Sequence, residues 1–93
     1  MTREADFLGE WRQIRPDPAP AQVVVTFEAN GSLVYTLEGE GELRIVIQWQ
    51  LDGDALIITD PSEREPRRSL FRFRSRSMLV LERDGASYIY VRR

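Results

Sequence analysis

From Gly9 to Arg92 apolar and polar residues alternate with a period of two, and turn residues interrupt the alternation at short intervals. This pattern limits the chain more than any other feature, because every segment must be extended with one apolar face, and the turns are too short for crossover helices. Eight strands are predicted: Gly9–Ile14, Gln22–Glu28, Ser32–Glu38, Leu43–Leu51, Ala55–Thr59, Arg67–Arg74, Met78–Arg83 and Ala86–Arg92. Residues 2–8, "TREADFL", read as one short helical turn capped by Thr2.

The hairpins fix which side chains share a face, since a slip of one residue turns every side chain over. At "FEANGSL" a two-residue Asn30-Gly31 turn would set Phe27 against Val34. A three-residue loop, Ala29-Asn30-Gly31 with Gly31 left-handed, sets Phe27 against Leu33, Val25 against Tyr35 and Val23 against Leu37, and buries more. A Gly53-Asp54 turn pairs Leu51 with Leu56 and Trp49 with Ile58, and an Asp84-Gly85 type I′ turn pairs Leu81 with Tyr88 and Leu79 with Tyr90. A Ser75-Arg76-Ser77 loop sets Phe71 against Leu81 and Phe73 against Leu79. Trp11, Leu37, Leu43, Ile45 and Ile47 complete the inward set.

Eight antiparallel strands in sequence order bury one apolar face most simply as an all-β, eight-stranded up-and-down barrel, which also removes the unpaired edges. Ninety-three residues without an internal repeat imply that 1–93 is a single domain. Nine aromatic side chains would fill much of so narrow a barrel, so any cavity should fall below the roughly 300 Å³ of drug-sized sites.

The chemistry that is missing narrows the function. There is no cysteine and no histidine, hence no thiol nucleophile, no disulfide and no side chain that ordinarily titrates near neutrality. Phosphate-binding glycine loops, nucleophile elbows and zinc-binding helical motifs are absent, and the serines have neither histidine nor lysine to activate them. The carboxylates Asp52 and Asp54, or Glu38, Glu40 and Glu42, fall in turns and read as solvated loops rather than metal ligands or an acid–base pair. No cofactor is implied and enzymatic activity is not expected.

All thirteen cationic side chains are arginine: residues 1–60 carry four against eleven acids, residues 61–93 nine against four. In one closed sheet the two halves lie side by side and offset each other. No stretch approaches the roughly 20 apolar residues of a membrane span, and the N-terminus lacks a secretory signal. As it stands the sequence implies a cytoplasmic protein, or a periplasmic or secreted one if a signal peptide has been removed.

The segments "GEW" (Gly9–Trp11), "VTFEANGS" (Val25–Ser32), "WQLDGDALIITD" (Trp49–Asp60), "MLVLER" (Met78–Arg83) and "YVR" (Tyr90–Arg92) follow one another in an order that resembles the small bacterial lipocalin-like β-barrels. The likeness spans Gly9 to Arg92. It implies that Trp11 closes one barrel end with Arg92 laid across it. The proline-rich "RPDPAPAQ" reads as a stiff extended spacer; the alternative is a lid over an open end, as the first connection of such barrels often forms. Lipocalin ligand carriage implies a small apolar ligand held among Trp11, Tyr35, Trp49, Phe73 and Tyr90, although full-size lipocalins are longer and roomier.

In "LFRFRSRSMLVLERDG" the phenylalanines face inward, leaving Leu70, Met78, Val80, Ile89 and Val91 on an outer strip edged by Arg72 and Arg74. Three readings stand. The strip is a solvated face on which arginine stems cover small apolar groups, or a protein interface formed with a partner or a second copy as a homodimer, or a nucleic-acid grip. The last is disfavoured because the aromatics alternate to the opposite face. Sequence alone thus favours a non-catalytic binding protein working through the outer strip, with carriage of a small apolar ligand as the alternative.

Overall fold

The computed structural model describes residues 4–39 and 41–93. Thr2, the expected cap, and Glu40 lie outside them. Eight antiparallel strands, β1 (Gly9–Arg15), β2 (Gln22–Phe27), β3 (Ser32–Glu38), β4 (Leu43–Asp52), β5 (Ala55–Thr59), β6 (Arg67–Ser75), β7 (Met78–Arg83) and β8 (Ala86–Arg92), run in sequence order around a closed barrel. A lone 3-10 turn, Glu4–Asp6, precedes β1. The seam closes where Trp11 stands opposite Arg92 and Gln13 opposite Tyr90. No helix among the described residues is long and apolar enough to cross a membrane.

The hairpin registers are those the turn residues demand. Phe27 pairs with Leu33 and Val25 with Tyr35, across a loop in which Gly31 takes a φ of 90°. Trp49 pairs with Ile58, Phe71 with Leu81, Phe73 with Leu79, and Leu79 in turn with Tyr90. Asp84 and Gly85 both have positive φ, 53° and 78°, as a type I′ turn requires. At the β6–β7 hairpin the ladder bulges between Phe73 and Ser75, so that Ser75 meets Met78 and the turn shortens to Arg76-Ser77.

The aromatics do not spread through the barrel but separate by type. Phe7, fully buried just before β1, inserts its ring at the end where the β2–β3, β4–β5 and β6–β7 turns gather, which we term the floor. It lies 5.0 Å from both Phe71 and Phe73, 5.3 Å from Phe27 and 5.6 Å from Trp49, in tilted and edge-on contacts. Trp11 donates its indole N–H to the Phe7 carbonyl at 2.7 Å, and Trp49 donates its own to Glu28 at 3.1 Å. The Arg92 guanidinium lies 4.2 Å above the Trp11 ring and donates to the carbonyls of Leu8 (2.7 Å) and Asp6 (2.9 Å). Gly9 opens the G-x-W motif because its φ is 111° and a Cβ there would stand 3.1 Å from Arg92 Nη1.

Two sequence expectations about burial need correction. Leu43 and Ile45 have the inward phase but are 51% and 38% exposed, because β5 is half the length of β4 and their pairing stops at Gln48 opposite Thr59. Val80 has the outward phase yet is only 2% exposed, flanked in register by Arg72 and Ile89. Long neighbouring stems cover small outward side chains in this way without taking their charges out of water.

Candidate functional site

Opposite the floor, where the β1–β2, β3–β4, β5–β6 and β7–β8 connections lie, the barrel interior opens into a cavity of about 180 Å³. Its walls are apolar, built by Val25, Phe27, Leu33, Ile47, Ile58, Leu79 and Leu81, and its polar groups are Gln13, Tyr35, Ser69, Tyr88 and Tyr90 with Arg67 and Arg83. Barrel geometry explains the distribution. Phenylalanine and tryptophan rings fill the floor, and toward the mouth the same inward-facing rows end in tyrosine and arginine, whose apolar bodies complete the wall while their polar tips reach toward water.

The sequence-predicted ligand set divides accordingly. Tyr35 and Tyr90 line the cavity, whereas Trp11, Trp49 and Phe73 belong to the sealed floor. Arg67, Arg83 and Gln13 were not expected in a site, although parity shows them: 67 continues the inward row of 69, 71 and 73, 83 that of 79 and 81, and 13 that of 11. An inward set chosen by apolarity stops one inward position short on β1 and β7 and two short on β6, where the buried Ser69 is missed along with Arg67. The proline-rich connection does not roof the cavity; none of residues 16–21 is among its lining groups.

The two arginines differ in availability. Arg67 is held by Glu63, donating from Nε at 3.1 Å and also from Nη2 to the second carboxylate oxygen, which raises the pKa of the guanidinium. Arg83 sits 5.5 Å from the centre of the Tyr88 ring, and among the described residues no carboxylate lies within ion-pair distance of it. Burial pushes the Tyr90 phenol up to about 12, with Tyr35 adding to the effect and the Arg83 charge opposing it. The Tyr90 hydroxyl stays protonated at ordinary pH and can donate to an acceptor; in the structure it stands 3.4 Å from Gln13 Oε1.

No family model, curated protein or solved structure matches this chain. The functional reading therefore rests on the geometry of the site.

Two of the turn carboxylates, Asp52 and Glu38, are engaged in ion pairs. Asp52 accepts from Arg68 at 2.9 Å, and Glu38 pairs with Arg93 at 3.6 Å. Among the described residues no group of three acidic side chains converges as metal ligands would; Glu40 lies outside them. On the outer strip Leu70 is 51% exposed, Arg72 and Arg74 are exposed, and Met78, Ile89 and Val91 are half-buried around the covered Val80. Arg72 lies 3.7 Å from Glu82, its neighbour across the hairpin.

Proposed function

We propose that this barrel is a non-catalytic binding protein for a small apolar molecule bearing a carboxylate. The observation that carries the reading is the Arg83 guanidinium at the mouth of an apolar cavity, with no carboxylate within ion-pair distance among the described residues. An anion beside it would gain a charge-assisted hydrogen bond, with the Tyr90 and Tyr35 hydroxyls as further donors, while its hydrocarbon part displaces water from the walls. Size sets the class. A dry cavity of roughly 150 Å³ accommodates benzene, so 180 Å³ suits one aromatic ring or a short alkyl chain rather than a long-chain lipid. The resemblance to lipocalin-like barrels supports the same reading.

The test is calorimetric titration with phenylacetate and hexanoate against phenethyl alcohol and hexanol, with amide shifts locating the site. Carboxylates should bind more tightly than the alcohols, and Arg83→Met should weaken the carboxylates about 10- to 100-fold, the value of one charge-assisted bond, while leaving the alcohols unchanged. Equal affinity for acid and alcohol in the wild type would sink the assignment of Arg83.

The outer strip supports a second reading, docking of a protein on Leu70, Arg72 and Arg74, because Leu70 is half exposed between charged neighbours. Leu70→Asp is its proper probe. Val80→Asp would bury a carboxylate and unfold the barrel instead.

A further inference from the structure

The barrel wall is incomplete beside the upper half of β4. Trp49 donates its backbone N–H to Gly31 at 3.0 Å, so the odd residues of β4 direct their main-chain groups toward β3 and the even ones toward β5. On that side Asp52, Gln50 and Gln48 meet Ala55, Ile57 and Thr59, and the ladder then ends. Continued in register it would bring Pro61 opposite Val46, and proline has no N–H to give. Asp60 instead turns the chain, its carboxylate accepting from the Ser62 backbone N–H at 2.9 Å and hydroxyl at 2.7 Å. Those bonds, the backbone one foremost, hold the Asp60 carboxyl below its usual pKa. Among the described residues, no strand meets the main-chain N–H and C=O groups that Arg44 and Val46 present on that side. Around them Leu43, Ile45 and Val46 are 51%, 38% and 58% exposed.

Edges of this kind are ordinarily blunted by proline, a bulge or an inward-pointing charge. Residues 43–47 have no proline, bulge or inward-pointing charge; Arg44 is the one charge in Leu-Arg-Ile-Val-Ile, and pairing about Ile45 sets it against Val46 rather than against itself. We infer that this edge pairs with the same edge of a second copy of the chain. In an antiparallel two-fold arrangement with Ile45 on the axis, Arg44 faces Val46 of the other copy and Leu43 faces its Ile47. Each Arg44/Val46 couple then exchanges two main-chain hydrogen bonds, giving four across the axis. Both residues of each couple are ones that meet no strand on the β5 side among the described residues. Registers shifted by two residues are poorer: one sets Arg44 against Arg44, and the other engages Gln48, already bonded to Thr59. The exposed apolar rows of the two copies become continuous, and neither the cavity reading nor the outer strip is needed for this pairing.

The decisive substitution is Val46→Pro. Its N–H lies in the sheet plane and points to the side of β4 that β5 no longer covers, so proline removes a donor that meets no strand among the described residues and blocks the approach of a second strand. Sedimentation of the wild type from micromolar to near-millimolar concentration should show a monomer–dimer equilibrium, with Val46→Pro monomeric throughout and Val46→Thr still dimerising. Ile45→Lys, which keeps the backbone intact, should also be monomeric and secures the test if proline disturbs folding. Near-UV circular dichroism of Trp11 and Trp49 monitors the fold. Hydrogen exchange at the Arg44 and Val46 amides should slow as concentration rises. A wild type that stays monomeric at the highest concentration would overturn the inference. So would a dimer that survives both β4 substitutions, or one that yields to Leu70→Asp and not to them.

Discussion

Phe7 shows how one side chain outside any strand can decide the packing of an all-β molecule. It fills the floor that the strands themselves leave open, and its carbonyl also satisfies the Trp11 indole. Phe7→Ala should cost about 3–5 kcal/mol in denaturant unfolding, the usual penalty for emptying a buried aromatic site. Nothing in the alternation announced this residue, because periodicity describes strands and Phe7 sits in an irregular lead-in where side-chain phase is undefined. Tyr90 gives a pH signature at the same scale. Its proton is held more tightly in the folded state, at about 12 against an ordinary 10, so the stability it contributes is complete below pH 10 and is lost as the pH climbs from about 10 to about 12. That gap corresponds to roughly 2–3 kcal/mol. Unfolding curves measured across this interval should fall for the wild type and flatten for Tyr90→Phe, whose spectrum should lack one tyrosinate step near pH 12.

At the scale of the strand pair, the turns carry the register and the strand lengths carry the exceptions. The Ala29-Asn30-Gly31 loop works because Gly31 adopts a φ of 90°, with its nearest obstacle, the Trp49 carbonyl, 4.0 Å from a Cβ. Gly31→Ala would meet no clash and should be destabilising by backbone conformation alone, about 1–2 kcal/mol in thermal or denaturant melts. Hairpin phase was legible for the same reason, since turn chemistry at Gly31, Gly53 and Asp84-Gly85 admits few registers and only one aligns the apolar faces. Alternation gives the face of a residue but not how far its neighbours extend, and this is why Leu43 and Ile45 were assigned to the interior. The mismatch was nonetheless written in the chain: a ten-residue β4 is followed by a five-residue β5 that stops before Asp60-Pro61.

Over the whole molecule the closed sheet reconciles a chain whose two halves carry opposite charge. Arg68 pairs with Asp52, and Arg93 with Glu10 and Glu38, each contact joining the basic C-terminal third to the acidic remainder. These pairs are exposed and individually contribute little, so their effect is to even out the surface potential rather than to hold the barrel shut. The candidate site was legible only in part. Tyr35 and Tyr90 follow from the inward rows, but the division between a filled floor and an open mouth depends on where Phe7 inserts, and the cationic character of the mouth on carrying parity past the last apolar residue to Arg67 and Arg83.

The seam between β1 and β8 joins Trp11 to Arg92 across nearly the full length of the sequence. As the chain leaves the ribosome its hairpins can form one after another, each from neighbouring segments, yet the tryptophan keeps a bare face until the last strand arrives. Throughout that interval the Trp11 ring lacks the guanidinium that covers it in the closed barrel, and docking of β8 completes its surroundings.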